Sequence, residues 1–223
     1  MPSAIQPETI SENSLDPPVR GFLQGPAEPN GNALVLTHGA GSNCNAPLLM
    51  DLSVAFAEAG YMVLRCDLPF RQERRTGPPF PGNADRDRAG LRNAVALMHS
   101  KVVGKVFLGG HSYGGRQASM LCAAEPELVS GLLLLSYPLH PPRKPEQLRI
   151  QHLPNLRTSS LFVQGSRDPF GRIEEMNRAL ALIPATKQLM AVSGAGHDLG
   201  YREKSRLNDL PVKILVVFHE LFR

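Results

Sequence analysis

"LGGHSYGGR", residues 108–116, sets a serine between glycine pairs directly after an apolar run. Glycine weakens both strands and helices, so its clustering at such a junction points to a sharp bend or a close backbone approach. Gly110-His111-Ser112-Tyr113-Gly114 matches G-x-S-x-G, in which the serine occupies a tight strand-to-helix turn with its oxygen exposed. The same glycines would also serve plain helix–sheet packing. Two phosphate readings fail on detail. Gly110 to Gly115 has P-loop spacing, but Arg116-Gln117 stands where Lys-Ser/Thr is required, and "GAGSNC" carries Cys44 in place of the third glycine of a dinucleotide fingerprint.

Working outward, apolar runs of strand length alternate with helical patterns. "ALVLT" (33–37), "YMVLRCD" (61–67), "KVFLGG" (105–110), "GLLLLSY" (131–137), "SLFVQG" (160–165) and "KQLMAVS" (187–193) read as strands, and "VRGFLQG" (19–25) adds an edge strand. Helices are expected over 46–59, 84–99, 114–124, 172–182 and 210–222. Asp85 and Asp87 fall in the first turn of the second of these, where they favour the positive end of the dipole. The last buries Ile214, Val217, Phe218, Leu221 and Phe222 on one side. Strands this continuously apolar belong to a sheet covered on both faces. The expectation is one doubly wound α/β domain over 1–223, with a mostly parallel sheet of about six or seven strands. Residues 1–18, polar and proline-rich, are expected to be flexible. Residues 138–159, "PLHPPRKPEQLRIQHLPNLRTS", form a short excursion that makes a minimal cap.

In such a sheet, ligands gather at the carboxyl ends of the strands. Ser112, Asp168 and His197 follow three of these ends in the order Ser, Asp, His. A weakly nucleophilic hydroxyl needs a base within reach, and the base needs an acceptor that fixes its tautomer. The "THGAGSN" loop follows a fourth strand end. Backbone N–H groups of Ala40 and Tyr113 are the natural donors to an oxyanion. Asp168 as a helix cap, Asp67 as a substitute acid and Asp198 as a turn residue are the competing assignments. His38 and His111 read as packing residues beside the site. His99, His140, His152 and His219 show no metal-ligand spacing, so no metal is expected.

These motifs, "THGAGSN", "GGHSYGG", "GSRDPF" and "GAGHDLG", make the chain resemble the α/β-hydrolase superfamily over essentially its whole length. More narrowly, "SYPLHPPRKPEQLR" and "DLPFRQERR" resemble a hydrolase-like branch that includes a subunit of the non-specific-lethal chromatin complex and a testis-expressed protein. Dienelactone-hydrolase-like proteins are broader relatives. The resemblance implies the α/β-hydrolase fold, the triad Ser112, Asp168 and His197, an oxyanion site at Ala40 and Tyr113, and no cofactor. It does not supply a substrate.

The expected activity is that of a serine esterase on a small acyl substrate, an ester or thioester. The rivals are a non-catalytic interaction module and a hydrolase of another bond type, peptide or carbon–carbon. Phe70, Arg71, Arg116, Tyr137 and Phe170 are expected to border the substrate. Solvated surface charge is the simpler reading of the basic loop residues as a group.

Composition narrows the remaining classes. The 223 residues are 42% hydrophobic and 20% charged, ordinary for a globular chain. The formal charge of +4 is spread without a run of like charges, which argues against a nucleic-acid partner. Cys44, Cys66 and Cys122 are too few and too scattered for a disulfide framework and suit a reducing compartment. The N-terminus lacks the basic start and apolar stretch of a signal peptide. No apolar run approaches the ~20 residues needed to cross a bilayer. A cytoplasmic location is expected, with no membrane partner.

Overall fold

The computed structural model describes residues 6–201 and 209–223. Its core is an eight-stranded sheet in the order β1-β2-β4-β3-β5-β6-β7-β8. The strands are β1 (Glu8–Glu12), β2 (Val19–Gln24), β3 (Ala33–Thr37), β4 (Met62–Cys66), β5 (Val106–His111), β6 (Gly131–Leu135), β7 (Ser160–Gly165) and β8 (Lys187–Val192). From β4 through β8 all neighbours run parallel, whereas β2 pairs antiparallel with both β1 and β4.

Side chains alternate across a strand, and here each face has its own core. Ala33 and Val35 of β3, Leu108 of β5, Leu132 and Leu134 of β6 and Phe162 of β7 enter one layer. Leu34 and Leu36, Phe107, Leu133 and Leu135, and Leu161 and Val163 enter the other. Helices α3 (Asn83–His99), α4 (Tyr113–Ala124) and α5 (Ile173–Leu180) cover the first face. Helices α1 (Pro47–Glu58) and α6 (Leu210–Leu221) cover the second. Double burial explains why β3, β6 and β7 are largely apolar and buried at every position.

Four expectations need correction. The sheet has eight strands because residues 8–12, within the segment expected to be flexible, form β1. "ETISE" has no apolar alternation and pairs antiparallel along the β2 edge, with Ile10 its one apolar side chain packed against the core. Residues 68–82, a Pro- and Arg-rich stretch read from sequence as a loop, contain a short helix, α2 (Pro69–Glu73), which starts on Pro69. Asp87 lies beyond the first turn of α3 and is fully buried. In α6 the buried stripe is Leu210, Pro211, Ile214 and Phe218, while Val217, Leu221 and Phe222 are only half-buried at its border. Residues 138–159 contain no strand or α-helix, only a 3-10 turn at Leu153–Asn155.

Candidate active site

The strand order reverses around β3 and β5, and the chain leaves both strands at one rim of the sheet. Ser112 follows β5 as the first residue outside α4, with φ 51° and ψ −116°. That backbone is strained for a residue with a Cβ. It is held because the Ser112 N–H donates to the Leu135 carbonyl at 2.8 Å, and because α4 packs hard against the loop beyond β3. A Cβ on Gly114 would lie 2.5 Å from the His38 carbonyl oxygen and 2.6 Å from Thr37 Cγ2. Gly114 is therefore a packing requirement as well as part of the motif.

The structure brings Ser112, His197 and Asp168 together. His197 Nε2 lies 2.8 Å from Ser112 Oγ, and His197 Nδ1 lies 2.8 Å from Asp168 Oδ2. Asp168 is 1% exposed. Its carboxylate also accepts the Phe170 N–H (2.9 Å) and the Gln164 side-chain amide (3.1 Å). Because an ionised carboxylate only accepts, His197 carries its proton on Nδ1 and leaves Nε2 free to take the serine proton. Phe170 stacks on the His197 ring with centroids 4.1 Å apart. Asp67 accepts the Cys44 N–H at 2.7 Å, and Asp198 accepts the Gly200 N–H at 3.1 Å, so neither takes the place of Asp168 on His197.

Gly39 brings the loop after β3 up to Ser112: a Cβ there would meet Ser112 Cβ at 3.3 Å. Ala40 and Tyr113 line the same cleft, and their backbone N–H groups have no hydrogen-bond partner among the described residues. Tyr113 is the first residue of a twelve-residue helix, so the positive end of α4 adds to that donor. Its phenol points elsewhere, donating to Asp87 Oδ2 at 2.7 Å. Burial keeps that phenol protonated and holds the Asp87 carboxyl above its ordinary range.

The two flanking histidines have defined tasks. His38 Nε2 accepts the Leu68 N–H (3.1 Å), so Nδ1 carries the proton and donates to the Gly39 carbonyl (2.8 Å). His111 Nε2 donates to the His197 carbonyl at 2.8 Å. Burial lowers the pKa of both, that of His111 to about 4, so both are neutral near pH 7.

Of the five residues expected to border the substrate, Arg116 and Phe170 line the cleft of about 600 Å³ beside Ser112. The other three do not. Phe70 is 2% exposed, packed edge-on against His38 and Tyr113, because α2 folds its loop back onto the sheet. Tyr137 is buried with its hydroxyl 3.1 Å from His152 Nε2. Arg71 is turned inward onto four carbonyls: Ser42 (2.7 Å), Gly77 (2.8 Å), Ala40 (2.9 Å) and Arg74 (3.1 Å). It ties down the loop that carries the Ala40 N–H.

Sequence reading did not single out Gln164 or Arg149. Gln164 is a fully buried polar residue that directly follows the apolar run Leu161-Phe162-Val163, a local anomaly that marks a required partner. Arg149 reaches the cleft only because residues 138–149 fold back, and no periodicity encodes that path.

The fold agrees with the comparisons. Residues 30–212 match the family model described as "Alpha/beta hydrolase domain", and the chain belongs to that family. Among solved structures it is similar to a dienelactone hydrolase from Anabaena variabilis ATCC 29413, with 21% identity and a TM-score of 0.73 over 97% of this chain and 96% of that one. It is also similar to Est1E from Butyrivibrio proteoclasticus (13%, TM-score 0.74, 97% and 99% covered). A third is XC6422 from Xanthomonas campestris, described as an α/β serine hydrolase without a lid (17%, TM-score 0.72, 99% and 97% covered). At these identities the likeness is one of fold.

Proposed function

We propose that the protein is a serine hydrolase of the carboxylesterase type, acting on a small ester or thioester through Ser112, His197 and Asp168. The observation that carries this reading is the hydrogen-bonded line from Asp168 through His197 to Ser112, two contacts of 2.8 Å each. As Ser112 Oγ bonds to the acyl carbon, its proton passes to His197 Nε2. The carbonyl oxygen becomes an anion received by the Ala40 and Tyr113 N–H groups. Collapse of this intermediate breaks the bond to the leaving group, which takes the proton from His197. Water, deprotonated by the same nitrogen, then releases the acid and restores Ser112. Asp168 orients His197 and stabilises the imidazolium, and His111 anchors the His197 backbone.

The esterase names among the structural neighbours and the open cleft favour a small acyl substrate over a peptide. Three free, buried cysteines favour a cytoplasmic setting, and no described helix is long and apolar enough to cross a membrane. We place the chain in the branch shared with the chromatin-complex subunit on the residues of "DLPFRQERR" and "SYPLHPPRKPEQLR", which here form α2 with its flanks and the first half of the excursion. Hydrolysis of short para-nitrophenyl esters by the purified protein, lost in Ser112→Ala with the melting temperature kept, is the expected result. Turnover retained in that variant contradicts the mechanism.

A further inference from the structure

The cleft beside Ser112 is lined by two arginines, Arg116 and Arg149, and among the described residues by no aspartate or glutamate. Arg116 lies one turn along α4 from Ser112, with its N–H on the Ser112 carbonyl at 3.0 Å, so the two share a helix face. Among the described residues its guanidinium has no hydrogen bond or ion pair, and its Nε is buried without a partner. Arg149 is delivered to the cleft by its own N–H, which bonds the Leu139 carbonyl at 2.8 Å. Its guanidinium has one long contact, 3.5 Å to the Pro138 carbonyl.

Neighbouring arginines are treated differently. Arg88 is held by Asp85 and the Gln117 side chain, Arg92 by Glu125, and Arg71 by its four carbonyls. Arg116 and Arg149 are partly buried yet lack such partners among the described residues, apart from the one long contact of Arg149, and a partly buried cation without a partner is costly. Burial first, and the charge of Arg116 second, pull the Arg149 guanidinium below its usual pKa, so the two sense each other. An anion entering between them would relieve both.

We infer that the cleft selects acyl esters or thioesters that also bear a carboxylate, held by Arg116 and Arg149 while Ser112 attacks the scissile carbonyl. The inference rests on the serine-hydrolase reading and adds the substrate class to it. A guanidinium fork matches the two oxygens of a carboxylate. A cleft of about 600 Å³ holds a short diacid half-ester with room for its alcohol. A phosphate group offers similar oxygens, so the test includes it.

The experiment compares mono(para-nitrophenyl) glutarate with para-nitrophenyl valerate on the whole chain. The charged ester is expected to have a kcat/KM at least ~10-fold higher, the size of one charge-assisted hydrogen bond. Arg116→Gln and Arg149→Gln should each lower that ratio by about tenfold, mainly through KM. Arg157→Gln, the same charge change at an exposed site, should leave the ratio alone. Independently of any variant's folding, glutarate should slow fluorophosphonate labelling of wild-type Ser112 more than inorganic phosphate does.

Equal rates on the two esters, or a ratio unchanged in both arginine variants, overturn the carboxylate assignment while leaving Ser112 in place. Protection by phosphate alone overturns it in favour of a phosphorylated substrate. No labelling of Ser112 at all removes the serine-hydrolase reading and this inference with it.

Discussion

Ser112 holds a backbone conformation, φ 51° with ψ −116°, that is unfavourable for any side chain with a Cβ. Such strain costs on the order of 1–3 kcal/mol and persists where the surroundings impose it. Ser112→Gly should therefore raise the unfolding free energy by about 1 kcal/mol relative to Ser112→Ala, with esterase activity absent in both. Denaturant titration of the two variants checks this; equal stabilities would mean that the turn stores no strain. The residues of this line were readable in the sequence because each follows a strand end, and strand ends are marked by apolar runs that stop abruptly. Their supports were not. Gln164 and His111 act through single hydrogen bonds to Asp168 and to the His197 backbone, and no spacing rule specifies a contact of that kind.

At the level of elements, the loop beyond β3 is shaped by a neighbour that comes later in the chain. Arg71, on α2, gathers the carbonyls of Ala40 and Ser42 and so fixes where the Ala40 N–H points. Arg71→Leu leaves four carbonyls without their cationic donor. It should cost roughly 2–4 kcal/mol of stability and lower kcat at least ~10-fold, with KM affected less. Steady-state kinetics with a parallel melt reads both, and a variant with wild-type kcat would show that the loop holds itself. The sequence placed Arg71 among substrate-binding residues because charge in a loop beside a strand end reads as a ligand contact. Five-residue α2 has no periodicity to announce it, so the inward turn of Arg71 was hidden. The same blindness hid β1, whose pairing is a backbone matter with only Ile10 and Glu12 partly covered.

Across the whole molecule three histidines are held neutral by burial. His111 and His152 are both depressed to about 4, chiefly by burial, and His38 is shifted the same way. In the unfolded chain these imidazoles protonate near pH 6.5. For His111 and His152 the unfolded state binds more protons between there and pH 4, so stability falls as pH falls, by roughly 1 kcal/mol per pH unit for each of these two, and their contribution levels off below pH 4; His38 acts in the same direction. Denaturation midpoints followed from pH 7 to 4 should decline steadily; a flat profile would mean that these sites accept protons while folded. The fold itself was legible at this scale because alternating side chains fill two separate layers, which demands long apolar strands with helices between them. The excursion at 138–159 was legible in length and not in path, since its proline-rich backbone follows tertiary contacts. The central claim is that Ser112 is an activated nucleophile, and intact-mass measurement after fluorophosphonate treatment tests it most directly. One adduct per chain, absent in Ser112→Ala, is the predicted result. A folded wild-type protein that takes up no adduct would contradict the account.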